Sequence, residues 1–168
     1  AENIAAATLS AFAALLIAVI SESGLGRLRI QGQVFYSDTK LGKILEFYEG
    51  PEATVSAIEY NTGARALVVD GFLTASQHGG GGVSTEHYMA WMGHLPMLLH
   101  PDPKNALVIC FGTGQTANAV RRENPQSLDI VDINPRVIKL ANNFEANQGV
   151  LDDSRAKVTI MDGRAYMR

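Results

Sequence analysis

The sequence predicts an α/β protein: a small antiparallel β-domain, then a partial parallel sheet, with a hydrophobic helix at the N-terminus. Three observations predict this. Three short strand-like runs separated by turn residues fill the stretch before residue 71. Beyond residue 105, apolar strands alternate with helical stretches, the order that gives a parallel sheet with right-handed crossovers. A run of seventeen residues without a charge lies near the start. The expected division is 1–30 for the hydrophobic helix and linker, 31–83 for the small β-domain and 84–168 for the parallel-sheet domain.

The charge-free run is "IAAATLSAFAALLIAVI", Ile4 to Ile20. Its length is at the lower limit, about 17 residues, for crossing a bilayer. Arg27, Arg29, Lys40 and Lys43 follow, a basic flank that favours a cytoplasmic location for everything after the helix. A membrane-associated chain with a cytoplasmic parallel-sheet domain is therefore expected. A buried helix of a soluble, cytoplasmic protein is the alternative. No basic region precedes the run, which argues against a cleaved signal peptide.

Next come the strand-like runs Ile44–Tyr48, Thr54–Tyr60 and Ala64–Asp70, joined by "EGPE" and "NTG". They predict an antiparallel meander. "QHGGGGVS" at Gln77–Ser84 reads as a linker, because four successive glycines lose too much backbone entropy to pack. Ser84 or Thr85 can cap a helix in which Tyr88, Met92, Leu95 and Leu99 form one apolar stripe, expected to be core. Pro96 is expected to kink or interrupt it.

Ala106–Phe111 is a continuous apolar run, expected as a strand buried on both faces, with Cys110 as a small core residue. Thr116–Glu123 is helical, and Leu128–Ile133 is the second strand. Asn134-Pro135 opens a helix, cap followed by proline. Val137, Ile138, Ala141 and Phe144 share its buried face, and Gly149 ends it. Ala156–Met161 is the third strand.

Composition bounds the function. A net charge of −3 and a pI near 5.8 give no basic footprint, so nucleic acid is not an expected partner. A single cysteine excludes an intrachain disulfide framework. His78, His87, His94 and His100 lack metal-ligand spacing, so no metal is expected. There is no Gly-x-Ser-x-Gly nucleophile elbow.

The chemistry concentrates at three strand ends. Gly112 and Gly114 close the first strand, Asp132 lies near the end of the second, twenty positions after Gly112, and Asp162 follows the third. In doubly wound sheets, ligands bind beyond the carboxyl ends of the strands. A glycine turn admits a ligand close to backbone, and a carboxylate at Asp132 can accept from ribose hydroxyls. Each element alone is more often a plain turn or a helix cap. Together they point to a nucleoside-bearing ligand. The missing third glycine of the pyrophosphate fingerprint argues for a ligand without a diphosphate, such as an S-adenosyl compound.

"STEHYMAWMGHLPMLLHPDPKNALVICFGTGQTANAV", "DIVDINPRVIKLA" and "LDDSRAKVTIMDGRAYMR" resemble the spermidine/spermine synthase family of polyamine aminopropyltransferases. The resemblance runs from about Ile44 to Arg168 and is nearest to a membrane-anchored bacterial branch. It implies a small β-domain followed by a Rossmann, methyltransferase-like domain. It implies that the donor, decarboxylated S-adenosylmethionine, lies against Gly112, Thr113 and Gly114. Asp132 and Ile133 would flank its ribose, and Asp162 with Gly163 its adenine amino group. Tyr88 would lie on the substrate side. The acceptor would be an amine such as putrescine, and no cofactor would be permanently bound.

Family members often dimerise, so a homodimer is among the implications. The resemblance further implies that a general-base aspartate belongs to a strand after residue 168. The chain starts Ala1-Glu2 and stops as a helix begins, so it reads as a fragment. Thr113 stands where the family carries an acid for the donor's amine, Cys110-Phe111 where it carries glycine, and Tyr88-Met89-Ala90 where it carries Tyr-His-Glu. A methyltransferase using intact S-adenosylmethionine and a non-catalytic nucleoside-binding module of a membrane protein are the alternatives.

Overall fold

In the computed structural model, described for residues 42–77 and 86–168, two sheets share one apolar core. The first is antiparallel, with strands β1 (Gly42–Glu49), β2 (Thr54–Tyr60), β3 (Arg65–Val69) and β4 (Phe72–Gln77) in sequential order. The second is parallel, with order β5 (Asn105–Ile109), β6 (Ser127–Asp132), β7 (Ala156–Ile160). The helices are α1 (Glu86–Leu99), α2 (Gln115–Arg122), α3 (Pro135–Leu140) and the short α4 (Gly163–Tyr166). The α/β expectation holds, with the antiparallel unit preceding the parallel one. Residues 4–20 and the glycine run lie outside the described residues. Among the described residues no helix is long and apolar enough to cross a membrane.

The meander has four strands where the sequence predicts three. Asp70 and Gly71 both adopt positive φ, 49° and 83°, between the paired residues Val69 and Phe72. That is the two-residue hairpin turn for which Asp-Gly is the sequence signature. Residues 55–58 are all buried, so β2 does not alternate strictly between core and solvent. Val55 and Ala57 join the main core, whereas Ile58 packs with Val68 and Ile44 in a second, smaller cluster.

The helix α1 corrects two expectations. The stripe Tyr88, Met92, Leu95 and Leu99 is exposed rather than core. Gly93 and Met97 are the buried residues instead. A Cβ on Gly93 would lie 2.6 Å from the Thr116 carbonyl and 2.7 Å from Ala119 Cβ, so α1 and α2 touch through small residues. Thr116 Oγ1 donates to the Met89 carbonyl at 2.9 Å across the same contact. Hydrophobic periodicity weighs large side chains and therefore misses a contact that requires their absence. Pro96 does not interrupt α1 either: the helix continues through it to Leu99.

Strand β5 is not buried on both faces: Val108 is buried, but Leu107 and Ile109 are each 41% exposed. It is an edge strand of its sheet, paired only with β6 among the described residues. The helix opened by Pro135 is shorter than expected. Asn134 Oδ1 accepts from Arg136 N, the predicted cap, but α3 stops at Leu140 and three 3₁₀ turns follow. The predicted face survives the break: Val137, Ala141 and Phe144 are buried and Ile138 packs against them. Gly149 starts the last of those turns at φ 68°.

Polar bonds tie the first sheet to the second unit. Gln115 Nε2 donates to the Ser76 carbonyl at 2.9 Å, and Ala146 N donates to Gln77 Oε1 at 2.9 Å. Asn143 Nδ2 donates to Glu46 Oε2 at 2.7 Å, and the Arg136 guanidinium lies over the Tyr48 ring, 5.0 Å from its centroid. These contacts fix the meander over the carboxyl ends of the parallel strands.

Candidate functional site

Parallel pairing sets the first feature of the site. Ile109 is in register with Val131, and Asp132 with Ile160, so β5, β6 and β7 all end at one edge. The chain leaves β5 through Cys110, whose N–H still donates to the Val131 carbonyl at 2.8 Å. It then turns at Phe111–Gly114, closed by Gly114 N donating to the Phe111 carbonyl at 2.9 Å. Gly112 has φ 59° and Gly114 φ 80°, left-handed conformations that glycine adopts without cost.

Asp132 organises this turn. Its Oδ2 accepts from Phe111 N and its Oδ1 from Asn134 N, both at 2.8 Å, and the residue is 6% exposed. One carboxylate thereby joins the end of β6 to the glycine turn and to the cap of α3. Each oxygen keeps a further lone pair, so the group can still accept from a ligand hydroxyl.

A crevice of about 200 Å³ opens against this carboxylate. Cys110, Gly112, Asp132, Ile133 and Asn134 line one side, and Glu52, Leu67, Val69 and Thr74 of the meander line the other. This is less than the roughly 300 Å³ at which pockets for whole small-molecule ligands begin, so it accommodates part of a ligand. A larger cavity, about 360 Å³, lies between α1 and β5. Among the described residues His100 is the only ionisable group lining it, and none of them offers a carboxylate to a ribose.

The predicted site residues distribute as follows. Gly112, Asp132 and Ile133 meet at the crevice, with Ile133 55% exposed. Gly114 lies beneath, packed on Phe111 and Asn147, and Thr113 is buried at 2% exposure. Asp162 is at the same sheet edge but outside the crevice, exposed, its Oδ1 accepting from Ala165 N at 2.8 Å to cap α4. Gly163 is held close to β5: a Cβ there would lie 2.4 Å from Ile109 Cγ2. Tyr88 is on the exposed face of α1 and does not line the crevice.

Cys110 requires correction. It is exposed, at φ 71°, and lines the crevice rather than the core. Partial burial, and then the neighbouring Asp132 charge, push its thiol pKa up. Alkylation of this single cysteine at pH 8 is therefore expected to run slower than that of an unhindered thiol. Asp132→Asn is expected to speed it by removing the repulsion. Rates followed by mass spectrometry check this; an unchanged rate in the variant would disprove the electrostatic link.

Sequence reasoning also missed Glu52, Leu67, Val69 and Thr74. They belong to the meander, three in its strands and Glu52 in the turn between β1 and β2, and no spacing rule connects residue 52 with residue 132. Among the described residues no group of His, Cys, Asp or Glu is arranged to hold a metal ion.

Comparison with known proteins gives the following. The model of the spermine/spermidine synthase domain matches residues 85–168, half of the chain. Polyamine aminopropyltransferase 1 of Hyperthermus butylicus is 34% identical over 108 residues, covering 62% of this chain and 35% of the relative. The polyamine aminopropyltransferase of Archaeoglobus fulgidus is 30% identical over 130 residues, covering 77% and 46%. The chain thus spans between a third and a half of the length of these relatives. Spermidine synthase from Thermotoga maritima has the same fold, with a TM-score of 0.66 at 23% identity over 75% of this chain and 44% of that one. A spermidine synthase solved with the transition-state analogue AdoDATO gives 0.65 at 23% identity, over 74% and 41%.

Proposed function

The chain belongs to the spermine/spermidine synthase family, and we propose that it forms the donor-binding part of an aminopropyltransferase. The donor would be decarboxylated S-adenosylmethionine, with an amine as acceptor. The observation that carries the site is Asp132, held between the glycine turn and the α3 cap at the wall of a crevice. In this reading its free lone pairs accept from the ribose hydroxyls, Gly112 lets the ligand lie against backbone, and Ile133 offers apolar contact. Asp162 and Gly163 lie farther along the same edge, where the adenine amino group would reach. Tyr88 would act from the acceptor side.

Charge supports the ligand class. Among the described residues no Lys or Arg lines the crevice, and its carboxyl side chains are those of Asp132 and Glu52. Carboxyl side chains on both sides of the crevice favour a sulfonium or ammonium ligand. Residues 4–20 would serve as a membrane anchor leaving this domain on the cytoplasmic side; the charge-free run and its basic flank support that.

The chain is expected to bind decarboxylated S-adenosylmethionine. Calorimetry checks this, and absence of heat both with that donor and with S-adenosylmethionine would sink the reading.

A further inference from the structure

The geometry points to Glu52 as the counter-charge that selects a cationic tail on the nucleoside ligand. The inference rests on the nucleoside reading of the crevice and names a residue that reading does not use.

Glu52 belongs to the turn between β1 and β2 and lines the crevice opposite Asp132. It is exposed, and no hydrogen bond or ion pair holds its carboxylate among the described residues. The backbone beneath it is nonetheless fixed. Thr54 N donates to Asp70 Oδ1 and Asp70 N to the Thr54 carbonyl, both at 2.8 Å, clamping this turn to the β3–β4 hairpin. Pro51, immediately before Glu52, has its own φ fixed by the ring. A carboxyl side chain without a partner among the described residues is thus carried on a constrained turn at the crevice.

A second observation points to a ligand independently of charge. Asn134 lines the same crevice at 5% exposure, and its Nδ2 has no hydrogen-bond partner. Its Oδ1 is committed to capping α3. A buried donor left open is costly unless something accepts from it. A ligand with an acceptor oxygen near Asn134, a hydroxyl near Asp132 and a cation near Glu52 would satisfy all three groups. An adenosine carrying a charged sulfonium or aminoalkyl arm has these features.

Asp132 is engaged by two backbone N–H groups, and Thr113 is uncharged and buried. Asp132 is thus already committed as an acceptor, and Glu52 is the crevice carboxyl group without such partners among the described residues.

The test compares two ligands on the whole chain: decarboxylated S-adenosylmethionine, which is cationic, and 5′-methylthioadenosine, which is neutral. Glu52→Gln is expected to weaken the cation about fivefold, the upper range for a solvent-exposed pair, and the neutral ligand by less than twofold. Raising the salt concentration should reduce the native chain's preference for the cation more than that of Glu52→Gln. Equal losses for both ligands would mean that Glu52 only shapes the turn, and would overturn the inference. So would unchanged affinity for both. If the native chain binds neither ligand, the nucleoside reading itself falls, and a result of that kind is distinct from a failure confined to the variant.

Discussion

Asp132→Ala is expected to weaken S-adenosyl ligands roughly ten- to a hundredfold or more and to destabilise the chain by about 2–6 kcal/mol. The stability loss follows from the two backbone donors, Phe111 N and Asn134 N, that the carboxylate satisfies in buried positions. Each would be left unpaired, at about 1–3 kcal/mol apiece. The binding loss has two sources. Ligand hydroxyls lose a charged acceptor, about 1.5–3 kcal/mol or roughly ten- to a hundredfold. The glycine turn also loses its tether to β6. Asp132→Asn separates these contributions, since it keeps the shape and one acceptor oxygen. It should retain more stability than the alanine variant while still weakening the ligand. Thermal unfolding with calorimetry below the transition measures both. A folded Asp132→Ala chain that binds the donor with native affinity would remove the ribose assignment.

The two glycines of the turn are expected to behave differently when replaced by alanine. At Gly114, with φ 80°, a Cβ would lie 2.5 Å from Asn147 Cβ and 2.6 Å from Phe111 Cζ. Conformational strain of about 1 kcal/mol adds to overpacking of about 1–3 kcal/mol, so Gly114→Ala should cost about 2–4 kcal/mol. At Gly112, with φ 59°, nothing lies within 4 Å of the added atom. Gly112→Ala should cost only the strain, about 1 kcal/mol, because its Cβ enters open space. Gly112 lines the crevice, so that space is where the ligand is proposed to approach. Its variant should therefore lose affinity out of proportion to stability. Native ligand affinity in a folded Gly112→Ala chain would show that no ligand approaches this backbone.

Much of the fold was legible from local chemistry. Asn134-Pro135 announced a capped helix because a cap and a proline act within one turn of chain. The strands of the parallel sheet were found to within one or two residues because each is a short apolar run bounded by turn residues. The fourth meander strand was equally available, since Asp70-Gly71 carries the hairpin signal. The α1 packing face was not, because Gly93 makes its contact by having no side chain.

The sequence by itself determined the strand ends, the glycine turn and the placement of Asp132 and Asp162 after successive strands, since these follow from short-range pattern and parallel order. Only the tertiary structure decided which groups share the crevice. It brought Glu52 opposite Asp132, exposed Cys110 and left Tyr88 outside. The reason is physical: a turn or cap is set by neighbours in the chain, whereas a crevice between two sheets is set by how their faces pack. That packing joins residues eighty positions apart, which no local pattern records.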